Sequence, residues 1–141
     1  MKSGDNMVEE DNLTYEEYVD IITTIGWKCP SKRLLEKSLK NSMTAKYVID
    51  NKTVAMARFV TDWGYIVLVV DVMVKPEYQG QGIGKKLINN LLDRAKASLE
   101  DGESMMIQLL SATGKKDFYK KFGFKDKPET VDAGMYMWIT K

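Results

Sequence analysis

Residues 66 to 94, IVLVVDVMVKPEYQGQGIGKKLINNLLDR, join a long apolar run to a glycine-rich turn and then to an amphipathic segment. From Ile66 to Val74 nearly every residue is aliphatic and most are β-branched, the composition of a strand buried on both faces; only Asp71 interrupts it. Pro76 has no N–H to give a ladder and ends the pairing. Gly80, Gly82 and Gly84 follow. From Lys85 onward Leu87, Ile88, Leu91, Leu92, Ala95 and Leu99 recur at helical spacing with polar residues between them. The pattern predicts a central strand over 66–74 and a helix over 85–99, with the glycines at the helix N-terminus.

Such a terminus offers unpaired N–H groups and a partial positive charge, and glycines let an anion approach them, so phosphate is the expected ligand. Spacing separates the phosphate loops. A P-loop sets four residues between its glycines and a Ser or Thr after its lysine; Gly80 and Gly84 have three between them, and Lys85 is followed by Lys86. The dinucleotide pattern G-x-G-x-x-G is met only in part, because Lys85 stands where the third glycine belongs.

Composition narrows the chemistry. A chain of 141 residues fits one domain with its own core, expected over 13–141 behind a loose leader over 1–12. Lys and Arg number 21 against 20 Asp and Glu, which gives no argument for nucleic acid or membrane as a partner. No His and a lone Cys29 exclude a structural zinc site and any imidazole triad, so a base must be a carboxylate, a tyrosine or water. The single cysteine and the lack of a signal-peptide pattern make the cytoplasm the expected compartment.

Along the chain, Thr14-Tyr15-Glu16-Glu17 matches a capping box, and a helix is expected over about 14–25, ended by Gly26. Ser31 is placed to cap a second helix to about Lys40 with Leu34, Leu35 and Leu39 inward. Lys46 to Asp50 and Thr53 to Val60 read as strands joined at Asn51-Lys52. Thr61 to Gly64 turns into the central strand, giving three consecutive antiparallel strands. Met105 to Leu110, reached through a helix, should run parallel to 66–74. A short helix over 115–122 and final strands at Phe124 and Met135 to Thr140 complete the reading.

Val74-Lys75-Pro76-Glu77-Tyr78-Gln79-Gly80-Gln81-Gly82-Ile83-Gly84 resembles the acetyl-CoA-binding motif of the GCN5-related N-acetyltransferases, V-x-P-x-[YF]-[QR]-x-x-G-x-[GA], at every specified position. Phe118-Tyr119-Lys120-Lys121-Phe122-Gly123-Phe124 resembles the same family's F-Y-x-x-x-G-F segment, and the likeness covers residues 45 to 141. The resemblance implies an α/β (α+β) fold: a mixed, mostly antiparallel sheet of 6-7 strands flanked by helices, with a splayed parallel pair whose gap takes pantetheine. It implies acetyl-CoA as acyl donor and an acceptor site lined by the first two helices. The main chain of Val72, Met73 and Val74 would face pantetheine, and the N–H groups of Gln79, Gly80, Gln81, Gly82, Gly84 and Lys85 would hold the pyrophosphate. Where the family often carries an Asn for pantetheine, followed by an Ala, this chain has Ala112 and Lys115.

Acyl transfer to an amine needs a neutral amine, a donor for the developing oxyanion and a proton for the leaving thiolate. The family match makes Tyr119 the general acid, since a phenol is protonated at neutral pH and near a thiol in pKa. Its competitor is an aromatic core stripe of Phe118, Tyr119 and Phe122, from which Tyr119 is turned away by about 100°. Asp71 reads either as a base raised by burial or as a structural partner for Arg58 across the sheet, with Asp62, Glu16 and Glu17 as lesser bases. Lys75, Lys85 and Lys86 are placed to screen phosphate, and Tyr78 to pack under the loop. Trp27, Tyr15 and Trp63 either shape the acceptor pocket or fill the core.

The expected function is acetyl transfer to a primary amine, on a small molecule or a peptide, by direct attack without an acetyl-enzyme. The alternative is a non-catalytic acyl-CoA-binding regulatory module. No metal, nucleic acid or membrane partner is expected, and exposed edge strands are compatible with a homodimer.

Overall fold

The computed structural model describes residues 6–141 and comprises two compact units, the first ending at Leu109 and the second running Leu110–Lys141. The first unit holds β1 (Met7–Glu10), α1 (Tyr15–Ile25), α2 (Lys32–Lys40), β2 (Met43–Ile49), β3 (Lys52–Thr61), β4 (Ile66–Val74), a 3-10 turn at Pro76–Tyr78, α3 (Ile83–Ala97) and β5 (Met106–Leu109). The sheet order is β1-β2-β3-β4-β5, antiparallel through β4 and parallel between β4 and β5. The second unit holds α4 (Lys116–Lys120).

Local chemistry explains the boundaries. Thr14 Oγ1 accepts from the Glu17 amide at 3.1 Å while Glu17 Oε1 accepts from the Thr14 amide at 2.9 Å, closing both bonds of the capping box that opens α1. Gly26 ends α1 with a left-handed φ of 86°. Ser31 caps α2 by accepting from the Leu34 amide. The β2–β3 turn is centred on Asp50 and Asn51, with φ of 49° and 61°, one residue ahead of the pair expected from sequence. Positive φ at both central positions is the type I′ hairpin geometry that short polar side chains tolerate.

The two faces of the sheet are covered differently. Met56 and Met73 pack with Leu13, Tyr18, Ile21, Ile22 and Leu35 from the α1–α2 side. On the other face Ile83, Leu87, Ile88, Leu91 and Ala95 of α3 are buried, and Ala45, Ala55 and Ala57, all fully buried, leave room for the helix to come close. Of the apolar positions expected inward on α2, Leu35 is buried but Leu34 is 49% exposed, because it falls one residue off the face that meets α1.

Two expectations are corrected. Residues Met7–Glu10, read as part of a loose leader, form a strand registered Met7↔Val48 to Glu10↔Ala45; main-chain pairing at a sheet edge needs little apolar sequence, which is why MVEE gave no signal. Residues 1 to 5 of that leader lie outside the described residues. The described residues form five strands, not 6-7: Phe124 and Met135 to Thr140 are not in strands. Apolar composition makes a strand only where a ladder partner exists, and Met135 to Ile139 are highly exposed.

One polar network bears on stability. Lys46 is 7% exposed and donates to both carboxylate oxygens of Glu17 at 2.9 Å, while Thr53 donates its hydroxyl to the same carboxylate. Burial on its own would raise the Glu17 pKa, but the hydrogen bonds from Thr53, Lys46 and Thr14 together with the Lys46 charge carry it below 4.5. A depressed carboxyl stabilises the fold above its unfolded value and loses that contribution as pH falls. Glu17→Gln, which keeps a capping acceptor but takes from the Lys46 ammonium its nearest charge and leaves it the Asn12 carbonyl at 3.3 Å and Glu9 at 4.0 Å, is expected to cost about 1–3 kcal/mol in urea unfolding at neutral pH. The difference from the native chain should close as pH falls below 4.5.

Candidate active site

The parallel pairing of β4 with β5 runs from Ile66↔Met106 to Val69↔Leu109 and stops there. β4 continues to Val74, so among the described residues Val70 to Val74 have no strand partner on that side. On the other side the Lys75 amide donates to the Val54 carbonyl at 2.9 Å, one step beyond the Ala55↔Val74 pair. In an antiparallel ladder this makes Val74 and, two residues earlier, Val72 non-hydrogen-bonded positions whose N–H and C=O point away from β3. Met73 is the opposite case: its main chain faces Met56, and its side chain lies in the core. Of the three residues proposed to face pantetheine, Val72 and Val74 therefore present main chain at the open edge, and Met73 does not.

Beyond β4 the chain turns at Pro76–Tyr78 and enters α3 through Gly82. Gly80 and Gly82 have φ of 78° and 79°, the left-handed region that most L side chains adopt only under strain, and among the described residues a Cβ at either would meet nothing within 4 Å. The first helical bond of α3 runs from the Lys86 amide to the Gly82 carbonyl at 3.2 Å, so the N–H groups of Ile83, Gly84 and Lys85 have no intrahelical acceptor. Among the described residues no side chain caps them. Gly80, Gln81 and Gly82 precede them in a turn open to solvent. The Gln79 amide, in contrast, donates to the Pro76 carbonyl at 3.3 Å, while its side chain donates from Nε2 to the Val74 carbonyl at 2.9 Å. Gln79 thus ties the loop to the strand instead of offering its own N–H. Ile83, four residues before Leu87 on the same apolar stripe, is the first residue of the helix entered through Gly82, and its amide joins those of Gly84 and Lys85 at the open terminus.

The lysines around the loop are mostly engaged. Lys75 pairs with Asp20 of α1, and Lys86 donates to the Tyr47 hydroxyl at 3.4 Å with its ammonium 5.4 Å from the ring centroid. Lys85 is exposed and Tyr78 half-buried. Asp71 lies on the α1–α2 face, where Arg58 Nε donates to its Oδ2 at 2.7 Å and the Tyr18 hydroxyl donates to the same oxygen at 3.0 Å. Of the two readings of Asp71, the pairing with Arg58 is present. Tyr18 was not singled out from sequence because it reads there as one more apolar position of α1. Its phenol is pushed well above the usual range, first by burial and then by the Asp71 charge and hydrogen bond.

Trp27 and Trp63 are 51% and 71% exposed, so neither fills the core, while Tyr15 packs against it with Lys32 over its ring. Cys29 packs on the edge of the same core, and burial raises its thiol pKa. Asp62 accepts from the Gly64 amide at 2.8 Å and the Ile66 amide at 3.2 Å, which occupies it in the β3–β4 turn. A separate cleft of about 230 Å³ lies at the other end of α3, near Trp63 and Val67, but Arg94 there already donates to Asp11 and the Thr44 carbonyl.

In the second unit, the Tyr119 ring packs edge-on against Phe118 at 5.1 Å and Phe124 at 5.9 Å. Phe118 meets Phe122 at 5.2 Å. Burial raises the Tyr119 phenol above 10.0, keeping its proton in place.

An uncapped helix N-terminus reached through left-handed glycines, next to a strand whose outer main chain is open, suits a ligand with a diphosphate at one end and an extended amide-bearing arm at the other. That is the chemistry of coenzyme A, and the site defines an acyl-CoA-binding fold. A family model described as Acetyltransferase (GNAT) domain matches residues 44–126. Over 133 residues the chain is 32% identical to the uncharacterized N-acetyltransferase ycf52 of Pyropia yezoensis, covering 90% of this chain and 73% of that one. A probable acetyltransferase of unknown function from meticillin-resistant Staphylococcus aureus superposes with a TM-score of 0.83 at 25% identity, covering 96% of this chain and 100% of that one. An aminoglycoside N-acetyltransferase in complex with CoA shares the fold, with a TM-score of 0.69 at 12% identity and coverage of 99% and 97%. The chain belongs to the GCN5-related N-acetyltransferase family. It is an acyl-CoA-dependent N-acetyltransferase, with acetyl-CoA as donor.

Proposed function

We propose that the protein acetylates a primary amine of a small molecule or peptide by direct attack, that the attacking nitrogen gives up its proton to solvent water, and that Tyr119 gives the proton that the departing CoA thiolate takes and is reprotonated from solvent. The observation that carries this reading is the main chain of Val72 and the N–H of Val74, left without a strand partner where β4 outruns β5, on the strand that leads into the uncapped amides of Ile83, Gly84 and Lys85. When bound, acetyl-CoA supplies the activated acyl group as a thioester.

The residues then divide the work. The α3 terminus takes the diphosphate through main-chain N–H groups, which carry no side-chain entropy cost and are already aimed. An N–H of Val72 or Val74 serves the acyl oxygen as negative charge develops on it, a role suited to a fixed donor. Tyr119 holds its proton at Oη, where burial keeps it through neutral pH. Direct attack is favoured over an acetyl-enzyme because Cys29, the single thiol, is raised in pKa by burial, and the chain has no histidine to activate it.

The test is release of CoA thiol across small amines, amino sugars, aminoglycosides and peptide amines, with acetyl-CoA binding followed by calorimetry. Thiol release that depends on an amine supports the proposal. Tight acetyl-CoA binding with no release across the panel overturns it in favour of a non-catalytic acyl-CoA-binding module.

A further inference from the structure

β4 changes register against β3 at one place. Arg58 faces Asp71, yet the next residue, Phe59, faces Val69, so Val70 is an extra residue on β4. The last parallel partnership with β5 is Val69↔Leu109. The bulge therefore sits where β4 parts from its neighbour, and the bend and added twist of a bulge are a physical cause for that parting.

Nothing in the apolar sequence fixes the bulge at this residue. Val69, Val70, Val72 and Val74 are chemically alike, and a bulge among like residues is free to slide. Asp71 is the exception. Were the bulge to move past it toward Val74, Asp71 would stand opposite Ala57, whose side chain lies on the α3 face, and its carboxylate would enter an apolar layer. Where the bulge is, the same carboxylate meets Arg58 Nε at 2.7 Å and the Tyr18 hydroxyl at 3.0 Å, while Arg58 Nη1 donates onward to Ser42 Oγ at 2.9 Å. The Arg58 and Asp71 side chains are only 15% and 13% exposed, so breaking the pair strands a poorly solvated charge.

We propose that Asp71, held by Arg58 and Tyr18, is a positioning residue that locks the bulge at Val70 and so aims the open main chain of Val72 and Val74 at the acyl group. Asp71 then takes no proton from the acceptor amine. The catalytic consequence rests on the acetyl-transfer reading above; the structural lock does not.

Asp71→Asn keeps an acceptor for the Tyr18 hydroxyl and removes the charge that Arg58 grips. In the full chain this variant is expected to lower kcat by about 100-fold through misplacement of the β4 donors, with the KM for acetyl-CoA little changed because the glycine loop is untouched. Both limbs of the pH–rate profile should stay where they are. Independently of turnover, amide hydrogen exchange at Met56 and Met73 should quicken by about tenfold or more while the β1–β2 amides keep their protection. If Asp71→Asn does not fold, Arg58→Lys, which retains a cation but loses the fork, should give the same exchange signature.

Unchanged exchange at Met56 and Met73 overturns the lock whatever the activity. Loss of the acidic limb of the profile also overturns it, by making Asp71 the base. A native protein that releases no thiol with any amine sinks the acetyl-transfer reading, yet the exchange experiment still decides the lock.

Discussion

Replacing Tyr119 with phenylalanine is expected to lower kcat by about 100-fold or more while leaving acetyl-CoA affinity within a factor of about two. A positioned general acid contributes only as the bond to the leaving group breaks, so its removal is felt in turnover and not in ground-state binding. The substitution is close to isosteric. The edge-on packing against Phe118 at 5.1 Å and Phe124 at 5.9 Å uses the ring, which phenylalanine retains, so thermal stability should change little. The pH dependence gives a second reading. Burial raises the phenol above 10.0, and the acid form is the active one, so the native enzyme should keep its activity through the neutral range and lose it only above that value. In Tyr119→Phe that alkaline limb should vanish along with most of the rate. If Tyr119 were simply part of the aromatic cluster, the variant would keep full turnover, and that result would refute the assignment.

The parts of the molecule that could be read from sequence are those in which local chemistry and tertiary packing agree. Thr14 and Glu17 form the capping box their spacing announces, and the β4–loop–α3 junction appears where Pro76 and the glycines require it. The parallel course of β5 follows from the helix between it and β4. What was not legible depends on partners distant in sequence. MVEE becomes a strand because β2 offers it an edge, whereas Met135 to Ile139, far more strand-like in composition, has none. Within the site, the division of labour among Val72, Met73 and Val74 depends on which antiparallel pairs exchange hydrogen bonds, and the bulge at Val70 sets that phase. No composition rule contains it. The Tyr18–Asp71 bond joins residues 53 apart, and only the packing of α1 on the sheet brings them together.

Gly82→Val should weaken acetyl-CoA binding by about 10- to 100-fold in calorimetry. Gly82 enters α3 at φ of 79°, a conformation that costs an L-residue roughly 1–2 kcal/mol and a β-branched residue more. The chain relieves that strain by rotating the peptide planes on either side, which are the planes that aim the first amides of α3. A steric clash within the protein is not the cause, because among the described residues a Cβ at this position would have no atom beyond its chain neighbours within 4 Å. Gly82→Asn separates the two remaining contributions, since asparagine tolerates the left-handed region while still projecting a side chain into the open space. If Val weakens binding far more than Asn, the aim of the amides governs affinity. If the two weaken it equally, the ligand needs the space beside Gly82. A Gly82→Val protein that binds acetyl-CoA as tightly as the native chain would mean that the diphosphate is not held at this helix terminus. The proposed seating of the acyl arm along Val72 and Val74 would then lose its anchor.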